Sequence, residues 1–349
     1  MTIVCYCGHP AQYHFIKHTL RNLMNAGWQV VLLIKTKDIL EQLVQEDGMP
    51  YTNIQPTVRK NNKWSILWAS LARTFAVYRI AKKHHADLLI GTDSSIAQAA
   101  WLLGKPAVTT LEDDYEIIKH LARLTYPFTT HIVVPRVCAV GRWEKKKIGY
   151  DGYMKLAYLH PRYFTPSLEV LKSYHIPTDK PYVLIRMAQL VAHHDKGIGG
   201  LSVDLLAELV NLCQKCGYKV YITSEMALPQ TLQPYQLSIR YSDIHHILAQ
   251  ASLLVSDSQS MSVEAAVLGV PSVRYSDFSG RISVLEELEH TYGLTFGIPA
   301  HEPAILTARV EELLTMPNMR EVFQARRQKM LADKIDVTQF LTSFIENYQ

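Results

Sequence analysis

The sequence has no apolar run approaching the ~18 to 20 residues that a membrane-spanning helix needs, which argues against an integral helical membrane protein. Nor does the start of the sequence read as a secretory leader. Met1 to Ile34 starts as a strand, lacks a basic n-region, and holds His9, His14, Lys17, His18 and Arg21 where a leader would be apolar. A cytoplasmic protein is expected. Charge of one sign is also scarce: 36 Lys and Arg stand against 32 Asp and Glu, for a net charge of +4. That excess is too mild to argue for a nucleic-acid partner, although it tolerates an anionic ligand or a membrane surface. Cysteine is sparse and odd in number, at five, which suits a reducing compartment better than a disulfide framework. Cys213 and Cys216 have metal or redox spacing, but they lie at a helix end before Gly217 with no second pair. They read as structural, and Cys5 and Cys7 as packing residues of one strand. No metal site is expected.

What is present is a long, evenly mixed chain. At 349 residues, 48% hydrophobic and 19% charged, it exceeds one comfortable core and predicts two globular domains. Short apolar strands alternate with helices from the start: Ile3 to Cys7, a helix from Tyr13 to Ala26 closed by Gly27, then Trp28 to Ile34. The alternation runs on through Tyr51 to Ile54, a helix from Trp64 to Lys83, Asp87 to Ile90, a helix from Ile96, Ala107 to Thr110, and His131 to Val134. Continuous apolar strands of this kind belong to parallel sheets buried on both faces. Gly141 to Pro166 breaks the pattern and reads as a crossing between domains. A second series then follows, with strands at Tyr182 to Arg186, Lys219 to Thr223, Leu253 to Ser256 and Ser272 to Tyr275, and helices at Leu201 to Cys216 and Ile244 to Ala251. Helices close the chain from Pro303 to Phe344, with breaks near Pro317 and Asp333. The expected division is 1–165, 166–318, and a terminal helical segment 319–349 that packs back towards the first domain. Ligand is expected in a cleft between the domains, at the carboxyl ends of the strands.

One stretch stands out, DSQSMSVEAAVLGVPSV from Asp257 to Val273, because DSSIAQAAWLLGKPAV from Asp93 to Val108 echoes it. Each reads as a strand end, an Asp-Ser turn, a short helix, Leu-Gly-x-Pro and a new strand. Asp to Gly spans 12 positions in the later copy and 11 in the earlier one. The later copy alone carries a carboxylate, Glu264. Free N–H groups and the positive dipole end at its helix start make a ready anion site, to which Ser258 and Ser260 can add hydroxyl donors. Glu264 could accept from ribose hydroxyls. The plainer alternative is that a serine is only an N-cap and Glu264 a dipole-complementing surface residue.

These phrases, with GHPAQYHFIKHTL at Gly8 to Leu20, GYDGYMKLAYLHPRYFTP at Gly149 to Pro166 and LIRMAQLVAHHDKGIGGLS at Leu184 to Ser202, make the chain resemble a known family. It is similar to the predicted glycosyltransferases called domain of unknown function 354, and more distantly to the UDP-N-acetylglucosamine 2-epimerase group. YITSEMALP, SDIHHILAQASLLVSDSQSMSVEAAVLGVPSVRY and SGRISVLEELEHTYGL complete the set. The resemblance implies a GT-B-like architecture, two doubly wound Rossmann-like domains with a cleft between them. It implies that Ser258, Gln259, Ser260, Met261 and Ser262 hold a diphosphate and Glu264 the ribose. It also implies an acidic residue near the sugar at Asp93 and a glutamate after the next strand at Glu112. The epimerase loop reads Ser-Gly-Gly where this chain has Ser258-Gln259-Ser260, and the remaining epimerase motifs are not reproduced.

Further candidates occupy loops after strands. His9, or one of Asp93, Glu112 and Asp113, could take a proton from an acceptor hydroxyl. Arg186 could neutralise a diphosphate, Ser224, Glu225 and His245 could frame the base or sugar, and Arg274 and Arg281 could reach an anionic group. His193-His194-Asp195-Lys196 reads as a polar substrate loop, having too few ligands for a metal. Along the Trp64 to Lys83 helix, Trp64, Leu67, Trp68, Leu71, Phe75 and Tyr78 form a stripe, which a core-facing Rossmann helix explains better than an interfacial one. The expected activity is sugar transfer from a nucleoside-diphosphate donor to a glycan or lipid-linked acceptor, with no cofactor beyond the nucleotide sugar. The alternatives are an epimerase or nucleotide-sugar hydrolase and a non-catalytic nucleotide-sugar-binding protein. Peripheral contact with the inner face of the membrane stays open.

Overall fold

Thr2–Cys7 (TIVCYC) is buried at all six positions, and that pattern fits only a strand covered on both faces. It is β1, the strand around which the first unit is built in the computed structural model, which describes residues 1–56, 63–187, 200–224 and 227–348, the side chains of 63–67 excepted. The chain continues through α1 (Pro10–Asn25), β2 (Gln29–Lys35), α2 (Leu40–Glu46), β3 (Tyr51–Gln55), α3 (Lys63–Lys83) and β4 (Leu88–Gly91). It then runs through α4 (Ser94–Leu103), β5 (Ala107–Thr110), α5 (Lys119–Thr125), β6 (His131–Pro135), β7 (Lys147–Tyr150) and the single turn α6 (Leu156–Leu159). Every pairing is parallel, in the order β3-β2-β1-β4-β5-β6-β7. Sequence order reverses between β1 and β4, so the loops after these two strands flank the crevice where doubly wound sheets bind ligands.

The second unit contains α7 (Leu168–Ser173), β8 (Tyr182–Met187), α8 (Val203–Lys215), β9 (Lys219–Ser224), α9 (Ile244–Gln250), β10 (Leu253–Ser256) and α10 (Gln259–Leu268). β11 (Ser272–Tyr275), α11 (Ser283–His290), β12 (Thr295–Ile298), α12 (Pro303–Leu314) and α13 (Met319–Asp333) complete it. Its sheet is again parallel, in the order β12-β11-β10-β8-β9, with the reversal between β8 and β10. The last helix, α14 (Val337–Glu346), belongs to the first unit.

The two units are Met1–Tyr158 with Ile335–Gln349, and Leu159–Lys334. Gly141 to Pro166 is therefore not all crossing, as the sequence had suggested. Its Lys147–Tyr150 segment is the edge strand β7, flanked by lysines as exposed edges often are. Its last residue, Tyr150, and Tyr153, Leu156 and Ala157 beyond it are core residues. The terminal helices also part company. α13 serves the second unit, where Arg327 Nε donates to the Val267 carbonyl at 2.8 Å. α14 serves the first, where Thr338 donates to the Ala157 carbonyl at 2.8 Å.

The expected core stripe on α3 needs correction. The side that meets the sheet carries Val77 and Ala81, packed with Ala97 and Ala100 of α4, because two helices so closely apposed have room only for small residues. Of the expected stripe Tyr78, half-buried, does pack against the core, whereas Trp68, Leu71 and Phe75 are exposed to solvent. Trp64 and Leu67 lie outside the described side chains. Among the described residues no helix is long and apolar enough to cross a membrane.

Candidate functional site

The internal echo has a structural meaning. In the first copy Asp93 is the N-cap of α4, accepting from Ser95 N at 2.9 Å, and Gly104 closes that helix in the left-handed conformation. In the second copy the N-cap of α10 is Ser258, not Asp257, and Gly269 closes it at φ +74°. Cap to closing glycine is thus the same interval in both, and the extra position in the later copy lies before the helix. Both helices are strand-turn-helix units of one design.

The two ends of α10 differ sharply. At its C-terminus Gln324 Nε2 donates to the carbonyls of Leu268 (3.1 Å) and Gly269 (3.2 Å), and Arg327 covers Val267. At its N-terminus Ser258 Oγ accepts from Met261 N at 3.4 Å, and Ser258 N is spent on Ser256 Oγ at 2.9 Å. The Ser262 hydroxyl is likewise spent on the Ser258 carbonyl, at 3.0 Å. Among the described residues the N–H groups of Gln259 and Ser260 have no partner. They form the positive end of the dipole, at the reversal point of the sheet. The Gln259 side chain donates to Ser276 Oγ at 2.6 Å, tying the loop after β11 to this helix start, and its own Oε1 is buried with no partner among the described residues.

Behind these groups lies a buried pair. Glu264, 8% exposed, comes within 3.4 Å of His245 Nε2, from the first turn of α9. A carboxylate with so little water around it needs donors, and a histidine N–H is one. The surface-residue alternative for Glu264 is therefore ruled out. His246, next in sequence, serves packing: its Nδ1 accepts from Ser167 N at 3.0 Å and its ring lies 4.8 Å from that of Phe164. Arg186 is half-buried at the end of β8, in register with Ser256 of β10 and Thr223 of β9. Ser224 ends β9, and Met261 is buried in α10. Glu225 and the His193 to Lys196 loop lie outside the described residues.

In the first unit the candidate bases prove unequal. His9 is the N-cap of α1, and its Nδ1 accepts from Ala11 N at 3.2 Å. A neutral ring that accepts at Nδ1 carries its proton on Nε2, where it is a donor and not a base. Loss of hydration, together with Lys37, Lys155 and Lys35, holds the ring below its ordinary pKa, so it is neutral at pH 7. Asp93 is engaged as a cap and lies 3.3 Å from Arg73 Nη2. Glu112 is braced: one oxygen accepts from Met154 N at 2.6 Å and the other from Lys155 Nζ at 2.9 Å. Asp114 is buried and accepts from Ala139 N at 2.8 Å. Asp113 alone of the acidic run is solvent-exposed. Lost hydration where it meets the protein, and then Glu112, raise its carboxyl above the usual range, while Lys155 opposes them. Lys155 was not anticipated. It sits in the segment read as crossing, and its charge acts on His9, Glu112 and Asp113 together.

Arg274 does not reach outward to an anion. Arg274 is wholly buried, with Glu286 Oε1 at 3.9 Å, and Arg281 lies over the Phe278 ring. Among the described residues no group of three or more metal-ligating side chains converges.

Two parallel Rossmann-like sheets of seven and five strands, each with its reversal point, define the GT-B architecture, which glycosyltransferases and nucleotide-sugar epimerases share. Among solved structures, the chain resembles UDP-GlcNAc 2-epimerase from Neisseria meningitidis bound to UDP-GlcNAc, with a TM-score of 0.74, 12% identity and 100% of both chains covered. It resembles S. aureus MnaA in complex with UDP (TM-score 0.71, 10% identity, 99% of this chain and 96% of that one). MurG of Acinetobacter baumannii matches with a TM-score of 0.61 at 14% identity over 99% of each chain. At such identities the likeness is one of fold. No protein-family model matches the chain, and no curated sequence does.

Proposed function

We propose that the protein transfers a sugar from a nucleoside-diphosphate donor, of the uridine type, to an acceptor hydroxyl in the assembly of a surface glycan. One observation carries the reading: at the start of α10 two backbone N–H groups have no partner among the described residues, and the same helix carries a buried carboxylate, Glu264. In this reading Gln259, Ser260 and the helix dipole meet the diphosphate, Arg186 adds positive charge, and Glu264 accepts from the ribose hydroxyls. Ser258, Met261 and Ser262 hold the loop in shape, and Ser224, Glu225 and His245 border the base or sugar. Charge that develops on the leaving diphosphate meets dipoles already oriented, so little reorganisation accompanies the step. No cofactor beyond the nucleotide sugar and no nucleic acid enters.

On the acceptor side Asp113 is the base. Its raised carboxyl and its exposure support that role, whereas His9, Asp93 and Glu112 are each committed to a cap or a brace. The acceptor is a glycan or lipid-linked glycan at the inner face of the membrane. Likeness to the Neisseria epimerase, with its higher TM-score, favours as a second reading an epimerase or hydrolase acting on the same donor.

The test is a thermal-shift panel of nucleoside diphosphates and nucleotide sugars on wild type and Glu264→Ala. Stabilisation by one nucleotide that vanishes in the variant is expected. No stabilisation of the wild type by any of them would overturn the donor site. Nucleotide release that requires an acceptor supports transfer; release without one supports the second reading.

A further inference from the structure

The stripe that leaves the core belongs to a larger surface. Trp68 is 68% exposed and Phe75 60% on α3, and Trp101 is 61% exposed on α4, with Leu71, Leu102 and Leu124 exposed beside them. Gln98 ties these helices together, accepting from Thr74 Oγ1 of α3 and donating to the Leu124 carbonyl of α5, each at 3.1 Å. The apolar residues therefore lie on three helices held side by side. Burial does not explain the three on α3, which meets the sheet through Val77 and Ala81, and Trp101 meets the Phe128 ring only edge-on, at 5.5 Å.

The charge on this face is one-sided. α3, α4 and α5 contain no acidic residue. Along α3 the exposed stripe passes from Trp68, Leu71 and Phe75 to Arg79 and Lys82, all at intervals of three or four, over about 21 Å of helix. Lys83, Lys105 and Arg123 are exposed on the same group of elements. The carboxylates beside these helices are engaged, Asp93 with Arg73 at 3.3 Å, Asp87 with Thr2 N at 2.8 Å and Lys105 at 4.0 Å, and Glu116 with Lys119 at 2.9 Å. Indole and phenyl rings with lysine and arginine one or two turns away match the boundary between acyl chains and anionic headgroups. A second copy of the chain fits less well, because a two-fold contact would bring this cationic surface against itself.

We propose that this face docks the protein on a bilayer of anionic phospholipid, with α3 in the plane of the interface. The proposal deepens the acceptor half of the reaction above, but it stands on the surface alone, so vesicle binding and nucleotide binding can fail separately. The test is co-sedimentation of the full chain with vesicles of phosphatidylcholine, alone or mixed with phosphatidylglycerol. Binding is expected to the mixed vesicles only and to weaken with salt. Phe75→Ser with Trp101→Ser, and separately Lys82→Ala with Lys83→Ala, should each lower partitioning about tenfold or more while leaving melting and nucleotide stabilisation unchanged. Failure of the wild type to bind mixed vesicles would overturn the proposal, as would binding that neither pair reduces. Self-association in sedimentation analysis, abolished by Phe75→Ser with Trp101→Ser and without vesicle binding, would assign the face to a second copy and equally overturn it.

Discussion

Replacing Glu112 should destabilise the first unit before it reveals anything about chemistry. Its carboxylate joins Met154 N at 2.6 Å and Lys155 Nζ at 2.9 Å, with the two side chains only 11% and 8% exposed. Glu112→Ala breaks a buried ion pair and removes the acceptor of a backbone N–H, which costs about 3–5 kcal/mol. For a domain of roughly 150–250 residues each kcal/mol moves Tm by about 2–4 °C, so a drop of about 6–20 °C is expected by calorimetry. Glu112→Gln keeps an acceptor for Met154 N but not the charge, and should fall between wild type and alanine. The double change Glu112→Leu, Lys155→Met removes both charges and should recover most of the loss, because the pair's attraction largely offsets its own desolvation. A Glu112→Gln protein that melts like wild type yet has lost all turnover would refute this reasoning and return Glu112 to the chemistry.

Three further outcomes follow from particular contacts. Gly269→Ala should destabilise more than Gly104→Ala in denaturant titrations. Both sit at positive φ and lose about 1 kcal/mol on that account, but a Cβ at 269 would also lie 2.6 Å from Gln324 Nε2 and 2.7 Å from Arg327 Cδ. His9→Asn should retain stability and most activity because asparagine also caps, whereas His9→Ala should lose about 1 kcal/mol. A large fall in kcat for His9→Asn at unchanged stability would make His9 the base. Burial, followed by Lys17 and Arg21, pulls His18 from 6.5 to about 4. The unfolded chain then binds the extra proton between those values, so the first unit should lose stability as pH falls from about 6.5 to about 4. His18→Gln should flatten that part of the pH–stability curve.

Much of the fold was legible because buried parallel strands are apolar runs bounded by turns. Ala107–Thr110, Leu253–Ser256 and Ser272–Tyr275 have the bounds their sequences suggest. The short elements were not: Leu40–Glu46, Lys119–Thr125, Leu168–Ser173 and Thr295–Ile298 are too brief for a period to emerge. Lys147–Tyr150 was hidden by its edge position, where one side of the strand needs no apolar partner. The α3 stripe misled because periodicity identifies a face without saying what covers it. At the site, Ser258 to Glu264 could be singled out from the echo alone. The pairings that separate cap from base could not, since Lys155 lies 43 positions from Glu112 and Arg73 lies far in sequence from Asp93. His245 was noticed, but its proximity to Glu264 comes only from the packing of α9 beside α10.

The central claim is that Glu264 reads the ribose of a nucleotide whose diphosphate rests on α10. Calorimetric titration of UDP and of 2′-deoxy-UDP into wild type and Glu264→Gln tests it most directly. A hydrogen bond from a hydroxyl to a charged acceptor is worth about 1.5–3 kcal/mol, so wild type should prefer UDP by about tenfold to a hundredfold. That preference should collapse in the variant, while its affinity for 2′-deoxy-UDP stays close to that of wild type. Equal discrimination by both proteins, or no binding of either nucleotide, would contradict the account.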